Sequence, residues 1–240
     1  MPPQIAQVIE LPLLSKLTLN HSYREATIRH KSILTCLTAP KLVCLHVIGK
    51  MNTGEVHSVH EFVRASGCAA IIEELVDSTC FESWTEFITL LGSLASLGTL
   101  AVYDPGWRTG GMDPLLEVLC RKTEASLPRI NRHEAVESSG ITICLRLRRL
   151  ELECVSVSSQ SLEGMLRPRI HDRKGDDFNS KGSFPLEELV LRRIELDAGD
   201  SELRWLKKLK GQRLLRVSDS SAPWVSRSNN TGPNTFYRSV

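Results

Sequence analysis

The pair of residues with the most chemistry in its spacing is His57-x-x-His60, followed by Cys68. On a helix this spacing sets two imidazoles about one turn apart, and a nearby thiolate would make a third zinc ligand. Val56, Val59, Phe62 and Val63 form the apolar side of the same helical pattern, so both histidines read as members of a wetted face. No metal is expected. Gly49-Lys50 lacks the glycine five residues earlier that a phosphate-binding loop needs, because Cys44 stands there. No GxSxG nucleophile elbow occurs. Glu73-Glu74 and Asp176-Asp177 are adjacent acids in patterns that expose them, not carboxylates facing each other. Without a convergent set of titratable groups the expectation is no catalytic residue, no cofactor and no small-molecule substrate.

The cysteines point the same way. There are seven (Cys36, Cys44, Cys68, Cys80, Cys120, Cys144 and Cys154), an odd number with no CxxC pair, which suits reduced thiols and not a disulfide framework. Met1-Pro2-Pro3-Gln4 shows neither a basic leader nor a small-residue cleavage site, and no apolar run approaches the ~20 residues that span a bilayer. A cytoplasmic or nuclear location follows as the expectation, and the sequons at Asn20 and Asn229 read as chance matches.

What positions these side chains is a short phrase that keeps returning: apolar, two residues, apolar, one residue, apolar. It runs from Leu14 to Leu19, Leu42 to Val47, Leu97 to Val102, Leu147 to Leu152 and Leu186 to Leu191, with a degenerate copy from Ile72 to Asp77. The last three residues of each copy alternate as a half-buried strand requires. The first residues of the six copies are separated by 28, 30, 25, 50 and 39 residues. Three of these spacings fall near or just above the ~20–29 residues of a leucine-rich repeat. Leu17, Leu19, Leu45, Val47, Leu100, Val102, Leu150, Leu152, Leu189 and Leu191 are thereby expected in one continuous core.

Helix signals lie between the phrases. Ser22-x-x-Glu25 and Ser83-x-x-Glu86 are capping boxes, and Asp113-Pro114 reads as an N-cap followed by proline in the first turn. Ser161 leads Leu162, Met165 and Leu166 up to Pro168, and Asp200 leads Leu203, Leu206 and Leu209 up to Gly211. With the helix over Val56 to Val63 these make six. Two stretches break the rhythm and read as insertions, near 131–146 and 168–184; the Ser-, Asn- and Pro-rich segment 218–240 reads as a disordered tail. The repeat region is then 1–217.

The phrases Leu11 to Leu19, Ala39-Pro40-Lys41-Leu42, Phe62 to Cys68 and Leu90 to Leu97 resemble the leucine-rich-repeat region of F-box/leucine-rich-repeat proteins, particularly the divergent kind abundant in fungi. The Leu206-Lys207-Lys208-Leu209 helix and Leu214-Leu215-Arg216-Val217 resemble that region's usual ending, so the likeness covers about residues 8–217. The resemblance implies substrate selection by the repeats, with ligase attachment through an F-box that docks on an adaptor subunit. Residues 1–10 are too few for that helical module, since even a marginal isolated helix needs ~12–15 residues. This chain alone is therefore not expected to bind the ubiquitin-ligase adaptor.

The expected architecture is an α/β leucine-rich-repeat-like solenoid of about six irregular repeats, with parallel strands on the concave side and helices on the convex side. Its expected function is non-enzymatic binding of a protein partner. Aligning the phrases puts Lys16, Thr18, Asn20, Cys44, His46, Thr99, Ala101, Tyr103, Arg149, Glu151, Glu153, Glu188, Val190 and Arg192 on the exposed strand face. Tyr103, Arg149 and Arg192 are the expected anchors, because aromatic and arginine side chains dominate most interfaces.

The alternative is docking of RNA or an acidic partner. Residues 1–120 carry 8 basic and 12 acidic side chains, whereas 121–240 carry 22 and 16. Acids interleave the arginines and no aromatic platform lies among them, which makes nucleic acid the weaker partner class.

Overall fold

The computed structural model describes residues 8–21, 33–49, 53–78, 84–103, 111–120, 143–171, 186–197, 205 and 216–219. Each apolar phrase delivers one parallel strand. These are β2 (Lys16–His21), β4 (Cys44–Gly49), β5 (Glu74–Ser78), β6 (Thr99–Tyr103), β7 (Arg149–Glu153) and β9 (Glu188–Arg192), joined by β11 (Arg216–Asp219). They form a seven-stranded sheet in chain order, β2-β4-β5-β6-β7-β9-β11, with every neighbouring pair parallel. Two short parallel pairs flank it: β1 (Ile9–Glu10) with β3 (Leu37–Thr38), and β8 (Ser156–Ser158) with β10 (Glu195–Asp197).

One backbone junction recurs at five successive steps of the sheet, from β2 to β9. The carbonyl of the residue before a strand accepts two amides from the next unit. Ser15 serves Val43 and Cys44, Val43 serves Glu73 and Glu74, Glu73 serves Gly98 and Thr99, Gly98 serves Arg148 and Arg149, and Arg148 serves Glu187 and Glu188. Ahead of most junctions sits a tight turn, in which Leu14, Leu42, Leu97 and Leu147 donate to the carbonyls of Leu11, Ala39, Leu94 and Cys144 at 3.1–3.3 Å. Register is therefore held by backbone bonds as well as by the apolar pattern.

The inward strand positions fill one hydrophobic cluster with the helices. Leu45, Leu75, Leu100, Leu150 and Leu189 align across the sheet and are at most 1% exposed. Nine of the ten strand residues expected in the core are buried; Leu17, on the edge strand β2, is only half-buried. Asp77 takes the second inward position of β5, aligned with Val47 and Val102, and is buried. This is why the Ile72–Asp77 phrase reads as degenerate although its strand is regular.

Among the described residues four helices follow the strands. They are α1 (Thr53–Ser66), α2 (Trp84–Ser93), α3 (Asp113–Cys120) and α4 (Ser159–His171), each touching the next. Their apolar stripes supply Val56, Val59, Phe62, Phe87, Leu90, Leu91, Leu115, Leu116, Leu162, Met165 and Leu166 to the core. The segments led by Ser22 and Asp200 fall almost wholly outside the described residues, as do most of 131–146 and the tail from 220 onward. No helix among the described residues is long and apolar enough to cross a membrane.

Three local expectations are corrected. Asp113 does not cap α3: its carboxylate accepts the Ser158 amide of the neighbouring unit at 2.9 Å, and the Met112 carbonyl opens the helix by accepting Leu115 and Leu116. Ser158, not Ser161, caps α4, its hydroxyl accepting the Ser161 amide at 3.1 Å. Helix α4 also continues through Pro168 to His171, so the first four residues of the expected 168–184 insertion are helical. Proline in a helix leaves the carbonyl four residues back without its usual donor. Here that carbonyl belongs to Gly164, and the Cys120 thiol donates to it at 3.0 Å from α3.

The expected insertion likewise ends early. Ile143 and Cys144 are buried in the core as the lead-in to β7. Beyond them, Arg169 is buried, and its guanidinium donates to the carbonyls of Leu119 (3.1 Å), Leu147 (3.5 Å) and Cys144 (3.5 Å).

Candidate interaction face

The register gathers the outward side chains into rows. The first row runs Lys16, Cys44, Glu74, Thr99, Arg149, Glu188; the middle row runs Thr18, His46, Val76, Ala101, Glu151, Val190. A third row holds Asn20 beside Ile48 at one side and Tyr103, Glu153 and Arg192 at the other. All fourteen residues expected on the exposed strand face thus share the sheet face opposite the helices.

They do not share its exposure. Lys16, Thr18 and Asn20 on β2 are exposed, while Cys44, His46, Thr99, Tyr103, Arg149, Glu153, Glu188 and Arg192 are half-buried. Ala101, Glu151 and Val190, expected on the exposed face, are buried at 3%, 5% and 1%. They occupy the middle row, and Arg149 and Arg192 from the flanking rows close onto Glu151.

Glu151 is the hub of the covered part. Its carboxylate accepts Arg149 Nη2 at 2.9 Å and lies 3.0 Å from Arg192 Nη1. Arg149 also donates to Glu188 at 2.9 Å, Arg192 lies 3.6 Å from Glu153, and Arg193 closes the chain onto Glu153. Three guanidiniums meet three carboxylates, so the network carries no net charge. The hydrogen bond to Glu151 raises the Arg149 pKa, and that to Glu153 raises the Arg193 pKa. Burial, and then the Glu151 charge, push the Tyr103 hydroxyl above its ordinary value.

At the other side, His46 Nε2 lies 2.9 Å from Glu74 Oε1, and the Cys44 thiol donates to Glu74 Oε2 at 3.8 Å. Burial and the adjacent Glu74 raise the Cys44 pKa, which keeps the thiol protonated and weakly nucleophilic. On the helical side, His57 is exposed, His60 half-buried, and Cys68 buried with its thiol on the Val63 carbonyl at 3.6 Å. Among the described residues no group of three or more His, Cys, Asp or Glu is placed to hold a metal ion.

Sequence reading passed over Glu74, Val76 and Arg193. Glu74 and Val76 would have followed from treating Ile72–Asp77 as a full copy of the phrase. Arg193 and Cys154 carried a further signal: the phrases 149–157 and 188–196 align residue for residue beyond the strand. Both residues adopt positive φ (48° and 56°), and the Cys154 amide donates to the Arg192 carbonyl at 3.0 Å.

No protein family, curated protein or solved structure matches the chain.

Proposed function

We propose that the chain is a leucine-rich-repeat-like solenoid of about six irregular units, strands concave and helices convex, that binds a protein partner on its outward strand face and catalyses nothing. The observation that carries this reading is the repeated junction, with one carbonyl accepting two amides of the next unit, at five successive steps of a parallel sheet. A stack built this way presents a continuous, polar, aligned surface, and stacked repeats use such surfaces for binding. The role is that of the repeat region in F-box/leucine-rich-repeat proteins: selection of a protein substrate.

The polyanion alternative draws less support from the sheet. Arg149, Arg192 and Arg193 are all engaged by carboxylates, and a phosphate backbone would have to displace those partners.

A photo-crosslinking residue at Thr99 on the sheet, compared with one at Glu117 on the exposed side of α3, tests the reading. A partner recovered from native extract is expected to crosslink at Thr99 and not at Glu117, and to be lost from the Tyr103→Ala, Arg149→Ala double variant. Crosslinking only at Glu117, or recovery unchanged by the double variant, would show that the strand face is not the docking surface.

A further inference from the structure

The charged network on β7 and β9 is layered. The carboxylate side chains lie beneath, 6% exposed in Glu151, 13% in Glu153 and 26% in Glu188. The arginines lie above them, 40% exposed in Arg149 and Arg192 and 62% in Arg193. Neutral as a whole, the network turns its cationic side to solvent.

Its hydrogen-bonding capacity is uneven in the same direction. Both oxygens of Glu151 and both of Glu153 meet a guanidinium nitrogen, as does one oxygen of Glu188. The arginines give up a smaller share, since each carries five N–H donors. Arg192 approaches Glu151 and Glu153 through Nη1 alone, at 3.0 and 3.6 Å, and its Nε and Nη2 meet no acceptor among the described residues. Those two nitrogens form the side edge of the guanidinium, whose parallel N–H bonds match the two oxygens of one carboxylate. In Arg149 and Arg193 the Nη2 of that edge is already given to Glu151 and Glu153.

We propose that the side edge of Arg192 is the docking point for an aspartate or glutamate side chain in an acidic segment of the protein partner. This rests on the reading of the outward face as a protein-binding surface and adds the partner's chemistry to it. Two acids at Nη1 hold the guanidinium in place before the partner arrives, so less side-chain freedom is lost on binding. A phosphodiester chain fits this supply poorly, because it needs a row of open cations and the flanking arginines are committed.

The test titrates the full chain, its arginine Nε labelled with nitrogen-15, with acetyl-hexaglutamate-amide, a peptide that has no terminal carboxylate. The Arg192 Nε–H signal, identified by its loss from the Arg192→Lys spectrum, is expected to shift with this peptide and not with hexaglutamine or hexalysine amide. Arg192→Lys keeps the charge but removes the edge, so the peptide should bind it about tenfold more weakly. Arg167→Lys on α4 should bind as wild type, and circular dichroism checks that both variants fold. A signal unmoved by hexaglutamate, unchanged affinity in folded Arg192→Lys, or a shift produced by hexauridylate at lower concentration than by the peptide would each overturn the proposal. The strand-face reading fails separately. If the partner crosslinked at Thr99 is lost from the Tyr103→Ala, Arg149→Ala variant but held undiminished by Arg192→Lys, the acidic contact is wrong and the reading stands. Crosslinking only at Glu117, with hexaglutamate still shifting Arg192, would sink the reading and leave the carboxylate site.

Discussion

The Arg192 guanidinium lies 3.0 Å from the Glu151 carboxylate across the β7–β9 pair, and this contact makes a buried acid tolerable on the outward face of the sheet. The Glu151 side chain is 6% exposed, whereas those of Arg149 and Arg192 are 40% exposed. The acid is held under a lid of two cations that themselves reach water.

Glu151→Ala is expected to destabilise the protein by about 1–3 kcal/mol, the range for a buried polar partner lost. The loss stays below that of a fully buried ion pair, because Arg149 keeps Glu188, Arg192 keeps Glu153, and both guanidiniums are solvent-screened. Urea denaturation of the variant against wild type measures it; no change in midpoint would mean that the network is ornamental.

Arg169→Met removes a side chain that ties the carbonyls of Leu119, Cys144 and Leu147 together. A loss of about 1–3 kcal/mol is expected, with little rescue by Arg169→Lys, since one ammonium lacks the planar fork that reaches separate acceptors. Thermal unfolding of the two variants should place both clearly below wild type.

Leu100→Ala opens a hole in the centre of the core and should cost ~2–5 kcal/mol, while Leu17→Ala, at the half-buried edge, should cost less. Equal losses at the two sites would contradict the burial difference between the sheet's centre and its β2 edge.

Burial pushes the Cys144 thiol up to about 12, and burial also raises Cys68. At pH 8 a thiol reagent should label half-buried Cys36 and Cys154 well before Cys68 or Cys144, whose labelling should wait for unfolding. Peptide mass spectrometry over a time course resolves the order; early labelling of Cys144 would mean that the lead-in to β7 opens locally.

Tyr103 has its pKa raised from the ordinary 10.0, by burial first and Glu151 second. Its neutral form is favoured in the fold, so its contribution to stability is complete below pH 10 and is lost as pH rises through the raised folded value. The alkaline decline in melting temperature should be shallower in Tyr103→Phe, and the difference ultraviolet titration should show the missing phenol as a high-pH component.

Much of this architecture was legible in the amino-acid order because it rests on a period. Apolar residues at every third and then every second position place Leu45, Leu100, Leu150 and Leu189 inward whatever surrounds them, and a strand's two-residue alternation puts Arg149 and Arg192 on the opposite face. The helices between Val56 and Val63 and between Phe87 and Leu94 follow from the same arithmetic at 3.6 residues per turn. Partnerships across units had no such local signal. Nothing near Asp113 says that its carboxylate will leave its own helix for the Ser158 amide, and nothing near Pro168 says that Cys120 will supply the missing donor to Gly164. Exposure was equally non-local. Glu151 and Val190 alternate as outward residues and are outward, yet both are buried, Glu151 beneath Arg149 of its own strand and Arg192 of the next. Periodicity thus determined which way each side chain points. The stacking of one unit on the next decided which of them meet water, because covering a side chain takes atoms from elsewhere in the chain.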